Sequence, residues 1–115
     1  MYTFNVDFYG STNFTCPVKF PQSGAMYVRV DSFLKQATGT SNPEEWTSMQ
    51  IPGFLWPLQD ESKTIVLQYE ENGVMVNHDA LATYTAAGKI VIDCNTETTL
   101  GHYFGSTGFV IDFTQ

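Results

Sequence analysis

Apolar side chains recur at every second position along most of this chain, which is the period of a half-buried β-strand. In "YTFNVDFY", Tyr2, Phe4, Val6 and Phe8 share one face, and Thr3, Asn5, Asp7 and Tyr9 share the other. "FTCPVKF" repeats the pattern with Phe14, Cys16, Val18 and Phe20. Pro17 lacks a backbone donor, so it predicts an edge position or a bulge in that strand. "AMYVRV", from Ala25 to Val30, reads as a third strand.

The C-terminal half reads as hairpins. Asn72-Gly73 sits between two alternating runs, and both central positions of a type I′ turn need positive φ. A two-residue loop there puts Glu71 opposite Val74, Tyr69 opposite Val76 and Leu67 opposite His78. Further turns are expected near Gly88 and between Gly105 and Gly108. Turn signals at roughly 8–12-residue intervals indicate an all-β sandwich or barrel. The expected architecture is one domain over residues 1–115, a two-sheet β-sandwich of jelly-roll type, with an immunoglobulin-like sandwich second. Asn42 suits a helix N-cap, Pro43 the first helical position, and Glu45 lies three residues after Asn42. These signals predict one short helix near residues 43–49. Asp31 similarly predicts a short turn through "SFLKQAT", stopped by Gly39.

Composition excludes more than it assigns. The 115 residues carry 12 acidic and five basic side chains, for a net charge of −7. Five scattered cations cannot form the basic patch that a phosphate backbone requires, so no nucleic-acid partner is expected. An anionic membrane surface is disfavoured for the same reason, and no apolar run is long enough to span a bilayer. "MYTFNVDFYG" has no basic region followed by an apolar core, so a secretory signal is not expected, and a reducing compartment is. Cys16 and Cys94 both continue apolar faces, which predicts two buried thiols in place of a disulfide or a zinc site.

Few residues suggest chemistry. "GSTG" has no Lys and joins two strands, so it is no phosphate loop. Both cysteines lie on apolar faces, where a thiol is deactivated, and no spacing ties His78 or His102 into a triad. In "DCNTE", Asp93, Asn95 and Glu97 fall on one side of an extended chain, but the loop lacks the Gly and Glu of an EF-hand and reads as a solvated strand end. Adjacent carboxylates such as Glu70-Glu71 point to opposite strand faces and make poor acid/base pairs. No enzymatic activity, metal or cofactor is expected.

The segment "IPGFLWPL" concentrates apolar bulk between two prolines. Each proline removes a donor and biases the preceding residue, Ile51 or Trp56, away from helix. We expect an extended arm or edge segment, with Phe54, Trp56 and Leu58, together with Trp46, as binding residues. Such aromatics can anchor a protein interface or stack on a sugar ring. No motif assigns a family. As a small, acidic, Thr- and Asn-rich, all-β chain without catalytic motifs, the protein resembles accessory structural proteins of virus particles, the capsid decoration or cement proteins and tail components. That resemblance implies a non-enzymatic assembly role in a virion put together in the host cytoplasm, with other protein subunits as partners, in a homo-oligomer or a larger assembly. A carbohydrate-binding β-sandwich module is the alternative.

Overall fold

We describe residues 2–10, 13–20, 27–30, 33–36, 45–71, 73–93, 103–106 and 109–112 of a computed structural model. The alternating segments become strands: β1 (Tyr2–Tyr9), β2 (Phe14–Phe20), β3 (Tyr27–Val30), β4 (Phe33–Gln36), β5 (Glu45–Ser48), β6 (Glu61–Glu71), β7 (Val74–Tyr84), β8 (Ile90–Asp93), β9 (Tyr103–Ser106) and β10 (Phe109–Asp112). All the ladders between them are antiparallel, and they link the strands into one sheet of order β10-β3-β2-β1-β5-β8-β7-β6-β9-β4.

Two pairings in this order belong together. Val30 of β3 lies opposite Phe109 of β10, and Phe33 of β4 lies opposite Ser106 of β9. The register is the same in both, so β3 with β10 and β4 with β9 act as the two halves of one antiparallel ribbon. Its β3 half is bonded to β2 and its β9 half to β6. The ribbon thereby joins the two ends of the sheet, and eight strand runs circle into a nearly closed barrel. Inside, Phe8, Phe20, Trp46, Tyr84, Ile90 and Ile92 are fully buried, together with Val6, Val18, Leu67 and Ile111. Cys16 is part of this core; Cys94 lies outside the described residues. Inward residues alternate with outward ones, as in any small barrel filled by side chains.

Several expectations change at this point. The fold is all-β, but its strands form one curled sheet where two separate sheets were expected. Alternation is identical in the two architectures, because either way each strand buries one face. The short helix near residues 43–49 is replaced over its described part by β5, in which Trp46 and Ser48 are buried while Glu45 is exposed. Burial of alternate side chains against β1 and β8 outweighs the local capping signal, which is worth only about 1 kcal/mol. Residues 41–44, including Asn42 and Pro43, lie outside the described residues. The turn expected through "SFLKQAT" contains β4. The hairpin expected at 105–108 is not made either. β9 pairs with β4 and β6, and β10 pairs with β3. Of the "GSTG" segment, Gly105 and Ser106 belong to β9, and Thr107 and Gly108 lie outside the described residues.

Other expectations hold. β6 and β7 pair in the register read from Asn72-Gly73, with Glu71 opposite Val74, Tyr69 opposite Val76 and Leu67 opposite His78. Gly73 has φ +79°, and Asn72 lies outside the described residues. Pro17 causes no bulge: the β1–β2 register runs unbroken through its pairing with Asn5.

A side chain at Gly73 would meet nothing within 4 Å, so any penalty there comes from the backbone alone. Gly73→Val is expected to lower stability by about 1–3 kcal/mol, the cost of a β-branched residue at positive φ. An unchanged urea midpoint would contradict the turn.

Candidate functional site

β5 follows β1 only briefly. Phe8 pairs with Ser48 and Tyr9 with Thr47, and the Met49 N–H adds one more bond to the Asp7 carbonyl at 2.7 Å. The chain then leaves β1 and crosses to the turn between β7 and β8. There the Ile51 N–H donates to the Gly88 carbonyl (2.8 Å), and Gln50 Nε2 donates to the Ala87 carbonyl (3.0 Å).

The two prolines now have a purpose. Pro52, at φ −54°, opens a single 3-10 turn over Gly53–Leu55, closed by Leu55 N–H to Pro52 O (3.1 Å) and Trp56 N–H to Gly53 O (3.2 Å). Pro57 ends it, because the residue before a proline is driven to extended geometry, and Trp56 sits at φ −71°, ψ 143°. The expected extended arm is thus a compact plug. Ile51, Leu55 and Pro57 are buried, while Phe54, Trp56 and Leu58 face outward. Two donors that need partners inside hold the plug to the barrel. Tyr84 Oη donates to the Leu55 carbonyl at 2.7 Å, and its fully buried ring lies 6.1 Å from that of Phe20. Burial pushes the Tyr84 phenol well above its ordinary range. Ser48, the buried polar side chain beside the plug, donates to the Met49 carbonyl and accepts from the Ile90 N–H, both at 2.7 Å.

Trp56 closes the arrangement from outside. Its Nε1 donates to the Ile51 carbonyl at 2.6 Å. Its ring lies on Gly88, which has φ +80° and where an added Cβ would overlap the indole. Between the plug and β1 is an open hollow of about 430 Å³, lined by Phe4, Asn5 and Val6 on one side and Met49, Gln50, Ile51, Pro52, Gly53 and Trp56 on the other.

The four binding residues read from the sequence therefore separate. Trp46 is fully buried in the core and offers no surface. Phe54 is 56% exposed, with its ring edge-on to Tyr2 at a centroid distance of 5.3 Å. Trp56 is 38% exposed at the hollow, and Leu58 is fully exposed. Sequence reasoning missed Tyr2 and Tyr84. Alternation puts Tyr2 on the inward face, but it stands at the start of β1 and contacts Phe54. Nothing in the local sequence distinguishes Tyr84 from an outward tyrosine. No cluster of three His, Cys, Asp or Glu suited to a metal occurs among the described residues. Asp93 ends β8, and Asn95 and Glu97 lie outside the described residues. His78 is half-buried opposite Leu67, as its register implies. No known protein family matches the sequence, and no curated protein matches it.

Two outcomes test this construction. Gly88→Ala combines backbone strain with a clash against Trp56, so it should destabilise the fold more than Gly73→Val and shift the tryptophan emission. Tyr84 contributes pH-dependent stability. A phenol kept protonated in the fold gives its full contribution below about pH 10 and loses it as pH rises toward the elevated folded value, by up to ~1.4 kcal/mol per pH unit. Tyr84→Phe should cost about 1–3 kcal/mol at neutral pH, because the Leu55 carbonyl loses its donor. It should also flatten the alkaline limb of the stability profile. An equally steep limb in the variant would contradict the assignment.

Proposed function

We propose that this chain is a non-enzymatic assembly module that binds other protein subunits through the plugged end of its barrel. The observation that carries this reading is the combination of exposed apolar side chains with a fixed backbone. Phe54 projects outward from a turn held by hydrogen bonds at Ile51, Leu55 and Trp56, with Tyr2 beside it, and Leu58 projects just beyond Pro57. Apolar anchors on a preorganised turn lose little entropy on binding, and an interface concentrates its energy in such residues. Virus-particle accessory proteins, which the sequence resembles, are the class of assembly we propose, whether capsid decoration or tail component.

A carbohydrate-binding reading has one observation in its favour: Trp56 and Phe4 line the hollow beside the amides of Asn5 and Gln50. Two of the donors there are already used, Trp56 Nε1 by the Ile51 carbonyl and Gln50 Nε2 by the Ala87 carbonyl. What remains is mostly apolar, which suits a protein side chain better than a polyhydroxylated ring.

Sizing with light scattering is the test, made on the wild type and on Phe54→Ser with Leu58→Ser. The wild type should self-associate or bind a larger particle. The double variant should lose that association by at least tenfold and keep its melting temperature, since both side chains are exposed. A wild-type monomer whose tryptophan emission responds to a glycan would replace this reading with the carbohydrate one.

A further inference from the structure

We infer that the free edge of β1 beside the hollow accepts an extended segment of a partner protein as an added strand. This rests on the assembly reading proposed above and names the mode of contact. The first observation is where the ladder stops. Among the described residues, β1 pairs along one side with β2 from Tyr2 to Phe8, but on its other side with β5 only at Phe8 and Tyr9, plus the Met49 bond to Asp7. The second observation is that the hollow of about 430 Å³ lies against Phe4, Asn5 and Val6, where β5 would have continued.

The direction of the backbone groups follows from two facts. The Asp7 carbonyl points toward β5, since it accepts from Met49. In an antiparallel strand the N–H and C=O of one residue point to the same side, and those two residues away point with them. The N–H and C=O of Asn5 and Thr3 therefore point into the space that β5 vacates. Pro17 checks this independently. It lies opposite Asn5 in the β1–β2 ladder. A residue with no N–H fits there without a bulge when the pair is of the non-hydrogen-bonded kind, in which the groups of Asn5 turn away from β2. An unpaired strand edge of this kind is a template for strand addition.

The same geometry describes the occupant. Side chains of an added strand opposite Phe4 and Val6 enter the hollow against Ile51, Pro52 and Trp56, so alternate positions are apolar. Side chains opposite Thr3 and Asn5 face solvent. On that outer face Lys19 lies opposite Thr3 and Arg29 opposite Lys19, so acidic or hydroxyl side chains are favoured at those positions. All ten described strands are already paired in the sheet, so this chain offers no spare strand for the cleft of a second copy. The occupant is therefore a segment of a different protein, with alternating apolar and acidic or hydroxyl side chains, spanning about five residues or ~16 Å.

The test is selection of a random-peptide phage library on the whole protein, followed by binding of synthetic copies of the recovered peptides. Recovered peptides should alternate apolar with acidic or hydroxyl residues. Asn5→Pro removes a donor that points into the cleft and breaks no β1–β2 bond, so it should weaken binding at least tenfold while the melting temperature changes little. If Asn5→Pro unfolds the chain, N-methylation of the peptide gives the same readout: amides at the solvent-facing positions should be essential and those at the apolar positions dispensable. Recovery of no peptide, binding that survives both the Asn5→Pro change and N-methylation, or self-association through this edge would each overturn the inference. Absence of peptide binding with the Phe54- and Leu58-dependent association intact overturns strand addition alone. Peptide binding in the cleft without any such association overturns the assembly surface instead.

Discussion

The point at which the chain leaves β1, just after Met49, determines most of what is distinctive in this molecule. Had β5 continued along β1, the barrel wall would be complete there and its end would be open. Instead the Ile51 N–H is captured by the Gly88 carbonyl, and the backbone is drawn across the barrel mouth to the turn between β7 and β8. Every later contact depends on that capture. Leu55 reaches the Tyr84 hydroxyl, Trp56 returns to the Ile51 carbonyl, and its ring settles where Gly88 has no side chain. The same departure leaves the hollow and a stretch of β1 that is unpaired among the described residues.

The plug reconciles two demands that oppose each other. A barrel end exposes apolar ends of inward side chains, and covering it with a loop brings backbone polar groups into a low-dielectric setting. An unsatisfied carbonyl or N–H there costs about 1–3 kcal/mol. The buried plug carbonyls meet this with side-chain donors, a phenol at Leu55 and an indole at Ile51. Ser48 does the same for the Ile90 N–H where β5 ends. Prolines at positions 52 and 57 limit the number of donors that need partners and pre-set the backbone on either side of one tight turn.

What was legible in the sequence follows the range of the interactions concerned. Alternation along β1 and β2 and the Asn72-Gly73 loop are local statements, and the register they imply is the one observed. The capping signals of Asn42, Pro43 and Glu45 are also local, but there a longer-range effect prevails: burying Trp46 against two neighbouring strands is worth several kcal/mol, far more than a cap. Gly105 resembles hairpin punctuation, yet it lies within β9, and only the long-range pairing with β4 and β6 decides its place. The binding residues divide in the same way. Phe54 and Trp56 are exposed on the proline-bracketed segment, and Leu58 is exposed just beyond Pro57. Trp46 could not be told from them, since only the strand it occupies decides that its ring points inward. The hollow itself is made by residues forty and more positions apart in sequence and leaves no local trace.

An open strand edge is ordinarily a hazard, since identical chains can pair through it. Here the protection and the proposed use come from the same features. The stretch of β1 left unpaired among the described residues is short, and Trp56 lines the hollow beside it. A segment with acidic side chains at its solvent-facing positions is attracted by Lys19 and Arg29 on the same outer face, over the range of a Debye length, ~8–10 Å. Phe54 and Leu58 on the adjoining turn would then add apolar contact beyond the strand itself. Charge would set which partner approaches, the backbone of Thr3 and Asn5 its direction, and the depth of the hollow the size of the alternate side chains. The three are separable in principle, because salt should weaken the first and leave the other two nearly unchanged.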